Sequence, residues 1–123
     1  MTHDRDVQFY DRQGRPITRD EALDLIGLNL DQVARSTVTD AADPTQCRIV
    51  STIWVGVDTE LGDFPQPMIF ETVVFDGNRK RVDIAVIPTA TEAHAMQAHR
   101  TMVEEHSKGM VDPVVVDVCS SDG

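Results

Sequence analysis

The segments IVSTIWVGV (49–57) and MIFETVVF (68–75) are dense in β-branched and aromatic residues, and each has the length of one strand. Together they predict a central hairpin. Alternation puts Ile49, Ser51, Ile53, Val55 and Val57 on one face of the first and Val50, Thr52, Trp54 and Gly56 on the other, so neither face is plainly polar. Such a strand belongs in the middle of a sheet. In the second, Met68, Phe70, Thr72 and Val74 oppose Ile69, Glu71, Val73 and Phe75, and Glu71 is the one charge in the run. The loop DTELGDFPQP between them has Gly62 for an unusual backbone angle and Pro65 and Pro67 to stiffen it. It is expected to be ordered, exposed and negative.

Before the hairpin, Val7 to Tyr10 reads as a short strand and DRQGRP as a turn. Thr18 and Glu21 form the T-x-x-E capping box of a short helix with Ala22, Leu23 and Ile26 on one stripe and Gly27 at its end. Within residues 32–39, Ser36, Thr37 and Val38 favour an extended outer strand. After the hairpin, Asp76, Gly77 and Asn78 turn the chain into RVDIAVIP (81–88). There Val82, Ile84 and Val86 face one way, Arg81, Asp83, Ala85 and Ile87 the other, and Pro88 closes the strand. Thr89 and Glu92 predict a second capping box, followed by a long helix over 91–106 ended by Gly109. Its residues Ala95, Met96, Ala98, Met102 and Val103 fall within one arc that packs on the sheet. Past Pro113, Val114, Val116 and Val118 alternate as either an added edge strand or an arm that docks on a neighbour.

This order predicts an α+β fold: a single domain over 1–110 with a tail or edge strand over 111–123. Its sheet is an antiparallel meander of four or five strands, with the long C-terminal helix on one face and the short N-terminal helix near an edge. The expected core is Ile53, Val55, Phe70, Val74, Val82, Ile84, Val86, Met96, Met102 and Val103.

Composition fits that picture: 41% hydrophobic and 26% charged residues describe an ordinary globular chain, and 123 residues suffice for a core without staples. No apolar run reaches the length of a membrane span, and MTHDRDVQF is too polar for a signal peptide, so a cytoplasmic protein is expected. Cys47 and Cys119 lack close spacing and are expected to stay reduced. The net charge of −10 disfavours nucleic acid as a partner. It is uneven: residues 21–66 carry eight acidic side chains against two basic, and residues 92–123 six against two.

Candidate chemistry is sparse. His99 and His106 lie on nearly one bearing of the long helix, but seven residues span about 10.5 Å, too far to share a metal ion. They read as partly buried histidines bonded to the sheet, while His94 is on another face. Asp58, Glu60, Asp63 and Glu71 offer oxygens, yet the glycine of DTELGD comes one place too early for a calcium loop and no glutamate closes it. No metal and no cofactor are expected. Arg79, Lys80 and Arg81 are the only basic run, and a triplet at a turn reads as a solvated edge. No nucleophile elbow, zinc-protease, phosphate-loop or dinucleotide signature is present, so the reading leans away from an enzyme.

VSTIWVGVDTELGD (50–63), PMIFETVVFDG (67–77), TATEAHAMQAHRTMVEE (89–105) and FYDRQGRPI (9–17) resemble a group of small uncharacterised proteins of actinobacteriophages, chiefly mycobacteriophages, and of related bacterial genomes. The Ser-Thr-x-Trp and Ile-Phe-Glu-Thr strings are the most specific parts. Phe64-Pro65-Gln66-Pro67 replaces the usual Gly-Pro-Pro, and the tail past Lys108 runs longer than in that group. The resemblance implies a phage product in the host cytoplasm and transfers no activity. The expected function is non-enzymatic binding of a host or phage protein through Asp58, Glu60 and Asp63 and through Val114, Val116 and Val118. The alternatives are a virion structural or assembly accessory, in which Val114, Val116 and Val118 add a strand to a neighbouring subunit, and, last, a metal-dependent hydrolase using Asp58, Glu60, Asp63 and Glu71 with a histidine of the long helix. A homo-oligomer is also compatible with this reading.

Overall fold

A computed structural model of the chain describes residues 7–28, 30–78 and 83–118. In it the fold is α+β, as the patterning predicts. A two-stranded piece, β1 (Phe9–Tyr10) and β2 (Pro16–Ile17), leads into helix α1 (Arg19–Gly27). The capping box at its start is present: Thr18 Oγ1 accepts from the Glu21 amide at 3.1 Å and Glu21 Oε1 accepts from the Thr18 amide at 2.8 Å. Strands β3 (Gln32–Thr39), β4 (Cys47–Trp54), β5 (Phe70–Asp76) and β6 (Asp83–Thr89) then form the meander. Helix α2 (Glu92–Ser107) crosses back over the sheet, and β7 (Val114–Val118) joins beside β3. The sheet order is β6-β5-β4-β3-β7, antiparallel throughout. The tail is therefore an edge strand, and β3, expected at the edge, lies one strand in.

Helix α2 packs against β3, β4, β5 and β6, and the residues it covers decide the core. Val50, Thr52 and Trp54 of β4 stand opposite Val74, Thr72 and Phe70 of β5, and all six are buried. A bulge in β3 at Val33 lets both Val33 and Ala34 reach the same layer. Ala95 of α2, fully buried, is small enough to bring the helix close to Trp54 and Phe70. The N-terminal elements extend this layer: Phe9, Tyr10, Ile17 and Leu25 pack on the same cluster. Trp54 Nε1 donates to the Tyr10 carbonyl at 3.0 Å, and Arg12 makes a bidentate pair with Glu92 at 2.9 Å.

Several expectations need correction. Ile53 and Val55 are half-buried rather than core, because the helix covers the Trp54 face of β4. Ile84 and Val86 are 43% and 48% exposed. Met96, Met102 and Val103 are half-buried at the flanks of α2, whose buried residues are Ala95 and His99. The N-cap of α2 is Thr91, whose hydroxyl accepts from the His94 amide at 3.1 Å, and not Thr89; β6 runs through Pro88 to Thr89. Strand β4 stops at Trp54 because Gly56 turns the chain at φ +86°, with its α-carbon against the Trp54 ring where a β-carbon would clash. The readings of Val82, of Arg79, Lys80 and Arg81, and of Cys119 lie outside the described residues.

Candidate functional site

The face of the sheet under α2 contains a continuous line of polar side chains within an apolar layer. Thr52 and Thr72 are direct cross-strand partners, 0% exposed, with their hydroxyls 2.8 Å apart. His99 descends from α2 between β3 and β4, 4% exposed, with Nδ1 2.7 Å from Thr52 Oγ1 and Nε2 2.8 Å from Ser36 Oγ. Ser36, 2% exposed, stands opposite Asp117 of β7 and donates to its Oδ1 at 2.5 Å.

The directions of these bonds follow from two conditions: a carboxylate only accepts, and burial favours the neutral ring, which donates from one nitrogen and accepts at the other. Asp117 takes the Ser36 proton, so Ser36 Oγ must accept from His99, which places the ring proton on Nε2. Nδ1 then accepts from Thr52, and Thr52 accepts from Thr72. Every hydrogen points toward Asp117, and each polar side chain along this line, from Thr72 to Asp117, has a partner. Burial holds the His99 ring below its ordinary pKa, opposed by the Asp117 charge and assisted by Arg100. The order of groups differs from that of an activated serine, in which the hydroxyl proton goes to the imidazole and the carboxylate holds the ring. Here the carboxylate holds the serine.

Because α2 crosses the middle of the sheet, β7 is left uncovered on the same side, and a groove of about 720 Å³ runs between the two. Met96 and Val103 line its helix wall, Val115 and Asp117 its strand wall, with Ala34 and Ser36 at the base. Arg100 and Glu104 stand at the helix side of the opening. The groove thus ends the buried polar line at an accessible carboxylate.

The expected interaction residues lie in two separate places. Asp58 is turned into its own loop: Oδ1 accepts from the amides of Glu60 at 3.0 Å and Met68 at 3.1 Å, and Oδ2 from Gly62 at 2.8 Å. The Met68 bond, above all, holds its pKa below the usual carboxylate value; desolvation opposes it, and the Glu60 and Gly62 bonds add to the lowering. Asp58 shapes the loop, while Glu60 is half-buried and Asp63 is exposed. Val114, Val116 and Val118 are 50%, 55% and 49% exposed on the sheet face away from α2. Among the described residues no three His, Cys, Asp or Glu side chains converge as a metal site, and Glu71 lies on the open sheet face, away from the loop carboxylates' amide contacts. No described helix is long and apolar enough to cross a membrane.

The sequence reading singled out His99 but not its partners. Ser36 and Asp117 are 81 positions apart and Ser36 and His99 63, so no local spacing announces the chain. Comparisons with family models, curated proteins and solved structures return no match.

Proposed function

We propose that this protein is a non-enzymatic binding domain that takes an extended segment of a host or phage protein along the outer edge of β7. The observation that carries the reading is the position of that edge. Among the described residues β7 pairs with β3 on one side only, and the groove between α2 and β7 opens on the same face of the sheet. An added strand gains main-chain hydrogen bonds from such an edge, and its alternate side chains gain a pocket. Val115, Val103 and Met96 supply apolar walls for those side chains, and Asp117 offers an acceptor. The host or phage identity of the partner rests on the resemblance to actinobacteriophage proteins. Asp63 and Glu60 flank the binding reading only as accessory charge, since Asp58 is engaged within its loop.

Successive residues of a strand point their amides to opposite sides, so of Val115→Pro and Val116→Pro one removes a bond to β3 and the other removes an outward donor. Affinity capture from host cells should retain a partner with the wild type and lose it with the outward proline, whose melting temperature stays near wild type. Retention unaffected by both prolines, or turnover of a substrate by the purified protein, would overturn the reading.

A further inference from the structure

The sheet face away from α2 has no described element packed on it. By register its rows read Val118, Arg35, Ser51, Val73, Val86; then Val116, Thr37, Ile49, Phe75, Asp83; then Gln32, Ile53, Glu71, Pro88. Across the three inner strands of this face, β3, β4 and β5, these rows hold only Arg35 and Glu71 as charges, with Asp83 at the β6 edge, in a chain whose net charge is −10. Neither Arg35 nor Glu71 has an ion-pair partner within the described chain. We infer that this face closes on a second copy of the chain in a two-fold dimer in which Arg35 of each copy pairs with Glu71 of the other.

The placement of the two charges argues for a second copy over an unrelated protein. Arg35 of β3 stands opposite Ser51 of β4, and Glu71 of β5 stands opposite Ile53, so the two lie diagonally about the middle of β4, level with Thr52. A two-fold axis lying in the interface above that point, running across the diagonal, lays each charge over its opposite. One charge of each sign, so related, makes the face complementary to itself. Two copies of a chain with net charge −10 repel one another as a whole, so a contact between them is favoured where opposite charges can be paired, as Arg35 and Glu71 are here.

The same axis sets the other contacts. On a lattice of about 4.8 Å between strands and about 3.3 Å per residue, it brings Phe75 against Phe75 of the second copy and Ile49 against Val86. The aromatic and aliphatic side chains thus meet one another without a separate adjustment. Five strands of this length cover roughly 500 Å² in projection and more in accessible surface, against about 800 Å² per partner in a stable interface. This surface is distinct from the β7 edge and the groove, so the two proposals stand or fall separately.

The test is complementation between two variants. Arg35→Glu and Glu71→Arg each place like charges together twice in a homodimer, and each alone should weaken dimerisation about ten- to a hundredfold in sedimentation velocity. An equimolar mixture of the two should restore the dimer, because every cross-copy contact in the mixed pair is again Arg with Glu. Circular dichroism on each variant confirms that it folds. A wild type that stays monomeric up to high micromolar concentration overturns the inference. So does a dimer indifferent to both substitutions, or one that the mixture fails to rescue.

Discussion

Phe70 and Phe75 belong to the same strand, yet Phe70 is fully buried beneath α2 whereas Phe75 is half-buried on the face that no described element covers. The difference runs through the whole sheet. On the helix side a line of polar residues, Thr72, Thr52, His99 and Ser36, is enclosed and hydrogen-bonded out to Asp117 at the edge. On the other side apolar residues outnumber polar ones but stay accessible. Hydrophobicity alone therefore does not mark the core of this protein. Coverage by α2 does, and the apolar residues it leaves uncovered are available for association.

Truncation of the two phenylalanines is the sharpest way to break this comparison. Phe70→Ala should lower unfolding stability by about 3–5 kcal/mol, through lost burial and a cavity, and Phe75→Ala by about 1 kcal/mol in dilute protein. Urea melts measure both. Equal costs at low concentration would mean that the second face is covered within one chain. A gap that narrows as concentration rises would mean that a second copy covers it.

The next effect tests the polar side of the covered layer. Ser36→Ala strips His99 Nε2 and Asp117 Oδ1 of their partner, and should cost about 1–3 kcal/mol although it removes a single oxygen. A change within 0.5 kcal/mol would show that the line of hydroxyls contributes nothing. Asp58→Ala should cost about 1–2 kcal/mol by freeing three loop amides, whereas Asp63→Lys should stay within about 0.5 kcal/mol. A reversed ranking would return the loop carboxylates to the common role the sequence suggests.

The gentlest effect is a slope with pH. The folded-state pKa of His99 lies below its ordinary value of 6.5, so between these two values the unfolded chain binds more protons than the folded one. Stability should fall as pH drops from about 6.5 to the folded-state pKa, and His106, also lowered chiefly by burial, adds in the same direction. Histidine ring shifts followed by NMR should place the His99 midpoint below 6.5. A midpoint at or above 6.5 would mean that the Asp117 charge outweighs burial.

The strands and helices were legible because they rest on local alternation, turn residues and caps. The choice of face on β4 was not. Both of its faces are apolar, and what selects the Trp54 side is the docking of α2 through Ala95, a contact between distant segments. For the same reason Ile84 and Val86 pattern as core residues and are exposed: β6 lies at the sheet edge, where a clean alternation cannot say which side is covered. His99 carried a usable signal, a polar residue inside the apolar arc of a helix, but Ser36 and Asp117 become its neighbours only through the pairing of β3 with β7. Asp58 is a different case. Its spacing to Glu60 and Gly62 is that of a side chain that folds onto nearby amides, a reading that its negative neighbours obscure.

The pairing of β3 with β7 also imposes an order on biosynthesis. Strand β3 ends at Thr39 and β7 begins at Val114, so at about 5–20 residues per second a ribosome needs roughly 4–15 s to make the partner strand after finishing β3. During that interval the hairpins from β3 to β6 can zip together, while the flank of β3 that β7 will occupy stays open to any extended chain nearby. The nascent protein therefore passes through a stage with a vacant strand position, which its own last strand later fills.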